Sequence, residues 1–261
     1  MQQMLLDPYY PTASAVHELE PRLKLVCVLA YIVAATALPT AYWPGYIALA
    51  ALAAVAIVGA RMPLGLVLGR TAIALPFVGV VALSVPFTRG GAVLWSGSLL
   101  GLPLAITAEG QGLFLSILAK SWLSVLLVGV LVATTPMSRV LGALRALRVP
   151  AVLVTTIALM YRYLFVLVAE AGRLHVARES RSVGKGGSVG WRARVLGGMV
   201  GSLFIRSYER SERVYAAMLS RGFDGEVQSL DEQHWTARDT LLLAAWFALL
   251  LPIVLVGRIP V

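Results

Sequence analysis

The stretch Ala151-Val152-Leu153-Val154-Thr155-Thr156-Ile157-Ala158-Leu159-Met160-Tyr161-Arg162-Tyr163, continuing to Ala171, decides the fold. It is apolar enough to cross a membrane, yet cations flank it on both sides: Arg139, Arg145 and Arg148 before it, Arg173, Arg178 and Arg181 after it. Lys and Arg gather on the cytoplasmic side of membrane segments, so a crossing here would strand one cluster outside. Arg162 also limits the unbroken apolar run to Ala151–Met160, well short of the ~20 residues that cross ~30 Å of hydrocarbon. Pro150–Arg181 is therefore expected as one long helix lying against the inner membrane face or against other helices, its distal half in the cytoplasm. A fifth crossing through Ala151–Ala171 is the competing arrangement.

The rest of the 261-residue chain is 59% hydrophobic and 13% charged. Soluble domains are about 45–50% apolar and about 25% charged, so the composition is that of an integral membrane protein. Met1–Glu20 is a polar arm with no basic leader and no small-residue cleavage site before the first apolar run, so no secretory signal is expected. The net charge of +9 is concentrated: residues 139–221 hold 14 Lys/Arg against 4 Asp/Glu. Such a block marks cytoplasmic exposure. It lacks the aromatic-basic modules of nucleic-acid binders, and no nucleic-acid partner is expected. The single cysteine, Cys27, lies in an apolar segment and reads as a small buried or lipid-facing hydrophobe.

Upstream, Pro21 is placed as a helix starter, and Arg22 and Lys24 form a positive cuff before the run Leu25–Leu38. Pro39 and Trp43-Pro44-Gly45 form an uncharged turn, followed by a second run, Tyr46–Ala60, and a third, Thr71–Val85, with Arg61 and Arg70 between them. Gly90-Gly91 to Pro103 reads as a loop containing a short apolar hairpin or half-helix. The fourth run, Gly112–Ala133, opens at Glu109 and stops at Thr134-Thr135-Pro136. From a cytoplasmic N-terminus these crossings leave the arginines inside and the uncharged turn outside. Lys120 is the exception, since a cation within a run costs about 2.5–3.5 kcal/mol on insertion scales; it must face the bundle, snorkel, or serve a functional contact.

Downstream, Gly184-Lys185-Gly186-Gly187-Ser188 is a flexible break; the phosphate-loop pattern that a lysine among glycines suggests is absent. Trp191–Arg221 is a second long amphipathic helix, with Leu196, Met199, Val200, Leu203 and Phe204 at helical spacing. Glu209 and Arg213 stand in the favourable i,i+4 order, and Gly197 and Gly201 permit close helix approach. Gly222 to Gly225 ends it, and Thr240–Val256 is a last crossing. The ends of the two long helices repeat one phrase. Ala177-Arg178-Glu179-Ser180-Arg181-Ser182-Val183 and Ala217-Met218-Leu219-Ser220-Arg221-Gly222-Phe223 both read Ala-x-x-Ser-Arg-small-apolar. A guanidinium at a helix end complements the helix dipole and can fork onto a carboxylate in a partner's groove. Two such ends suit a twofold partner; ordinary solvated helix-end cations are the plainer reading.

Chemistry is otherwise sparse. His17, His175 and His234 are far apart, no ligand-spaced cluster suggests a metal site, and the four early runs contain no carboxylate. Neither catalysis nor nucleotide hydrolysis is expected of this chain.

Glu20-Pro21-Arg22-Leu23-Lys24, Ala74-Leu75-Pro76-Phe77, Thr134-Thr135-Pro136, Tyr161-Arg162-Tyr163-Leu164 and Arg206-Ser207-Tyr208-Glu209-Arg210, running into Ala217–Phe223, resemble the transmembrane T component of energy-coupling-factor (ECF) transporters, most closely the cobalt-type CbiQ family. The resemblance implies an all-α membrane protein of about five transmembrane helices with long cytoplasmic coupling helices. It divides the chain into an N-terminal membrane bundle (1–135), a coupling-helix domain (136–236) and a C-terminal transmembrane helix (237–261). It also implies a non-catalytic subunit in the cell membrane, with its N-terminus and coupling domain cytoplasmic. ATP and magnesium would be used by two ATP-binding-cassette partner subunits, with no cofactor or metal held by this chain. A separate CbiM-like substrate-binding membrane subunit, with a possible small accessory membrane subunit, would complete a cobalt importer. By position the ATPase-coupling motifs are Ser180-Arg181-Ser182 and Ser220-Arg221-Gly222, and Ala177-Arg178-Glu179 is the competing frame for the first. Transport of nickel or a vitamin, a non-transport membrane scaffold whose basic face binds anionic lipid, and a self-contained permease are the alternatives.

Overall fold

The computed structural model describes residues 9–10, 12, 14–63, 65, 69, 71–88, 93–99, 102–181, 187–225 and 235–258. The described segments are helical apart from one antiparallel hairpin. In chain order they are α1 (Ala15–Glu18), α2 (Pro21–Ala37), α3 (Trp43–Gly59), α4 (Ala74–Ala82) and α5 (Val85–Thr88), then β1 (Val93–Leu99) and β2 (Leu102–Thr107). The remainder are α6 (Ala108–Thr134), α7 (Met137–Ala146), α8 (Ala151–Arg181), α9 (Val189–Leu219) and α10 (Ala237–Arg258). Contacts divide the chain into two compact units, Leu144–Glu232 and Met4–Ala143 with Gln233–Val261.

In the larger unit α6 is the hub, packing against α2, α3, α4 and α5, and α2 packs in addition against α10. Pro21 stands in the first turn of α2, and the Glu20 carboxylate accepts a hydrogen bond from the Arg22 N–H at 3.1 Å. The fully buried Tyr31 donates its hydroxyl to the Leu49 carbonyl of α3 at 2.9 Å. Trp246 of α10 donates its indole N–H to the Cys27 carbonyl at 3.1 Å. Leu38, Leu49, Leu126, Leu127 and Val130 fill the core, with Ala35, Ala53 and Ala133 among them. Small side chains let membrane helices approach closely, where dispersion rather than water exclusion drives association.

Two lysines bind α2 to α6 reciprocally. Lys120, midway along α6, donates to the carbonyls of Leu38 (2.7 Å) and Thr36 (3.2 Å) at the end of α2. Lys24, in the first turn of α2, donates at 3.3 Å to the Thr134 carbonyl at the end of α6, to the Thr135 hydroxyl and to the His17 carbonyl. The last carbonyls of a helix have no partner within it, so each helix lends a cation to the other's negative end. Lys120 thus faces the bundle.

Three expectations change. The third run is not one helix: Thr71-Ala72 are helical, α4 has nine residues and α5 four. A proline ring collides with the carbonyl four residues earlier; the breaks at Ile73 and at Leu83-Ser84 fall just upstream of Pro76 and Pro86. At ~1.5 Å per residue, α4 alone is about 14 Å long. The expected turn over Trp43-Pro44-Gly45 is instead the start of α3. Of the two readings of the stretch to Pro103, the hairpin holds: β1 and β2 pair Leu99 with Leu102 and Val93 with Thr107. By length and composition α6, α8 and α10 can cross a membrane, and α3 is a shorter apolar helix. Arg162 does not interrupt α8, so the length argument against a crossing there fails and the flanking charges alone bear on its placement.

Candidate functional site

The smaller unit consists mainly of α8 and α9, 31 residues each, which touch one another. Their sequence ends define the candidate site. Ser180 and Arg181 are the last two residues of α8 and both are exposed; Ser182 lies outside the described residues. Ser220, Arg221 and Gly222 follow directly on α9 and are exposed as well. The two serines make the same bond. Ser180 donates to the Val176 carbonyl and Ser220 to the Ala216 carbonyl, both at 2.9 Å, one helical turn back.

The end of α9 is closed by backbone. Gly222 N–H donates to the Leu219 carbonyl and Phe223 N–H to the Met218 carbonyl, each at 3.0 Å, with Gly222 at φ +78°. This is a Schellman closure, which needs a residue in the left-handed region and so favours glycine. It leaves Arg221 at the tip with its side chain free of helical duties. Ala177, Arg178 and Glu179, the competing first motif, lie within the last turns of α8, where Glu179 pairs with His175 at 3.7 Å.

Further back, Glu170 of α8 joins the helices. Its Oε1 accepts from Arg206 of α9 at 3.0 Å, and its Oε2 accepts from Arg173 on its own helix. Between Ala151 and Arg178 it is the sole acidic residue. That isolation is the signal available in the sequence, but a partner 36 positions away is invisible to helical spacing. Next to this bond α8 and α9 enclose an open, mostly apolar groove of about 650 Å³, lined by Met160, Tyr163, Leu167, Tyr208, Tyr215 and Met218 among others. Among the described residues, no three His, Cys, Asp or Glu side chains gather as metal ligands.

In the larger unit the polar groups cluster around α1, at the start of α2 and the end of α6. Ser14 Oγ lies 2.7 Å from His17 Nδ1 and the Tyr10 carbonyl 3.0 Å from Nε2, and the ring is buried. Burial lowers the His17 pKa; the Tyr10 carbonyl opposes this and the nearby Lys24 charge adds to it.

A model of the cobalt transport protein family CbiQ matches residues 12–231. The chain belongs to this family. The ECF transporter transmembrane protein EcfT of Limosilactobacillus fermentum is 31% identical over 255 residues, covering 93% of each chain. A putative fused cobalt transport protein, CbiMQ, of Methanocorpusculum labreanum is 28% identical over 243 residues, 91% of this chain and 40% of its own. The nickel permease LarQ of Lactiplantibacillus plantarum is 35% identical over 113 residues, 42% of this chain and 40% of its own. This CbiQ-family chain is therefore a transmembrane component of an ECF-type transporter, and its described helices are those of a membrane protein.

Proposed function

We propose that the chain couples ATP hydrolysis by two ATP-binding-cassette subunits to uptake of cobalt ions through a separate substrate-binding membrane subunit. The observation that carries this reading is the matched pair of exposed Ser-Arg helix ends on α8 and α9, each with its serine bonded one turn back. The roles follow the chain: 1–135 forms the membrane bundle, 136–236 the coupling domain, and 237–261 the last transmembrane helix. Ser180-Arg181-Ser182 and Ser220-Arg221-Gly222 enter acceptor grooves on the two ATPases. Arg181 is favoured over Arg178 because it stands at the helix end, as Arg221 does, whereas Arg178 lies a turn inside. Closing and opening of the ATPase dimer moves both helix ends together, and the motion reaches the substrate-binding subunit through α8 and α9. The chain itself hydrolyses nothing.

The N-terminus and the coupling domain face the cytoplasm of the cell membrane, where the cationic block 139–221 belongs. The fused cobalt relative supports cobalt and a CbiM-like partner; the nickel permease makes nickel the second reading. The test is purification in mild detergent, followed by transport assays after reconstitution. Two ATPase copies and a small membrane subunit should co-purify. Arg181→Ala with Arg221→Ala should abolish ATP-dependent uptake, since truncating one member of a buried charge pair typically costs ~2–5 kcal/mol of binding. Intact assembly and uptake in that double variant would defeat the reading.

A further inference from the structure

The bond between Glu170 and Arg206 differs in kind from three other ion pairs among the described residues of α8 and α9. Arg173–Glu170, His175–Glu179 and Arg213–Glu209 stay within one helix, three or four residues apart. Arg206–Glu170 joins α8 to α9. The Glu170 side chain is only 18% exposed, and its two oxygens are divided between two arginines. An isolated surface ion pair contributes little, but a carboxylate held on both oxygens, with one arginine on its own helix, has little freedom to turn away from the other. Arg173 thus aims Glu170 at Arg206.

We propose that Glu170 is a positioning residue for coupling: held by Arg173, it latches onto Arg206 and sets the angle at which α8 and α9 cross, and hence the separation of Arg181 and Arg221. This rests on the coupling function proposed above. The leverage follows from helix geometry. Glu170 lies 11 residues before Arg181, and Arg206 lies 13 before Leu219, so at ~1.5 Å per residue the arms extend about 16–20 Å beyond the latch. A change of about 10° in crossing angle over such an arm displaces its tip by about 3 Å. That is the whole range of a hydrogen bond, enough to put one arginine out of its groove while the other is seated. Neither helix supplies a stiff alternative: in α9 no residue is buried, and in α8 only Val154 and Thr155 are, far from the tips.

Two measurements test the latch. In the first, Cys27→Ser is combined with spin labels on Val176→Cys and Ala216→Cys, both exposed positions, in the full-length chain in detergent. Pulsed electron resonance should give a narrow distance distribution that broadens in Glu170→Gln and in Arg206→Gln. In the second, the complex with its ATPases is reconstituted and Co²⁺ uptake is measured per ATP hydrolysed. Each variant should still co-purify with its ATPases, held through whichever arginine stays seated, and should keep ATP turnover. Uptake per ATP should fall roughly fivefold or more, the scale of a typical coupling free energy. Because the two groups act as one bond, the double variant should be no worse than either single one. Unchanged distances, or unchanged uptake per ATP, would overturn the proposal, as would single effects that multiply in the double variant. A wild-type complex that recruits no ATPase would instead defeat the coupling function, an outcome read separately from the label distances.

Discussion

Lys24 and Lys120 show how a cation becomes tolerable in a membrane bundle: each spends its charge on the carbonyls that a neighbouring helix end leaves unpaired. Lys24→Met strips a donor from the Thr134 and His17 carbonyls and the Thr135 hydroxyl. Leaving buried acceptors unsatisfied costs about 1–3 kcal/mol, so thermal unfolding in detergent should show a clear loss. Lys120→Met should cost a similar amount. The two losses should add, because the lysines serve opposite ends of α2 and share no partner. His17 gives a pH dependence of definite sign. Burial holds its pKa below the ordinary 6.5, so its neutral ring contributes stability that is fully present above that value. As pH falls below it, the unfolded chain takes up a proton that the folded ring refuses. Stability should decline until pH reaches the lowered folded value. In His17→Gln this part of the slope should vanish from a melting series between pH 7.5 and 5; an unaltered slope would assign it to other groups. Lys120 was legible as an exception in the sequence, but not its acceptors, the Thr36 and Leu38 carbonyls over 80 positions away.

Helices were the most legible elements because their signals are local. The start at Glu20-Pro21, the stop at Thr134-Thr135-Pro136 and the ends of α8 and α9 each depend on a few adjacent residues. The third run was misread because hydropathy is blind to proline: Pro76 and Pro86 break an apolar stretch that composition alone would join. Close packing between elements was equally hidden. Gly110, in the first turn of α6, lies so near α5 that an added Cβ would stand 2.9 Å from Pro86 Cα and 3.0 Å from its carbonyl oxygen. Backbone cannot yield as a side chain can, so Gly110→Ala should cost about 1–3 kcal/mol through overpacking, seen as a lower unfolding midpoint. At the end of α7 the opposite change should help. Arg148 sits at φ 63°, with its N–H on the Arg145 carbonyl and Val149 N–H on the Leu144 carbonyl. It stands where glycine closes α9. The left-handed region costs a non-glycine residue roughly 1–2 kcal/mol, and Arg148→Gly should recover about 1 kcal/mol of that. A loss of stability instead would mean that the Arg148 side chain makes contacts worth more than the strain.

The whole molecule falls into two compact units. One unit is a packed bundle with a buried core; the other presents two long helices with exposed tips and almost no core of its own. The uneven charge falls mostly on the second unit, and the repeated phrase lies at the ends of its two helices. The Glu170–Arg206 joint was not legible in the sequence, because it exists only once the two helices are brought together. The same division bears on the cargo. Relatives named for cobalt and for nickel share sequence with this chain, and among its described residues no cluster of metal ligands forms. If the ion is chosen by a separate membrane subunit, selectivity should travel with that subunit. Reconstituting this chain and its ATPases with a cobalt-selective and then a nickel-selective substrate-binding subunit should switch the accumulated ion accordingly. The affinity of the isolated chain for Co²⁺, measured calorimetrically, should be negligible. Both steps matter, because a chain that merely fails to bind metal could still filter ions during passage. If the accumulated ion stayed the same after the exchange, the filter would lie in this chain. Lys120 and the backbone around it would then be the first place to look, since it stands midway along α6, a helix long and apolar enough to cross a membrane.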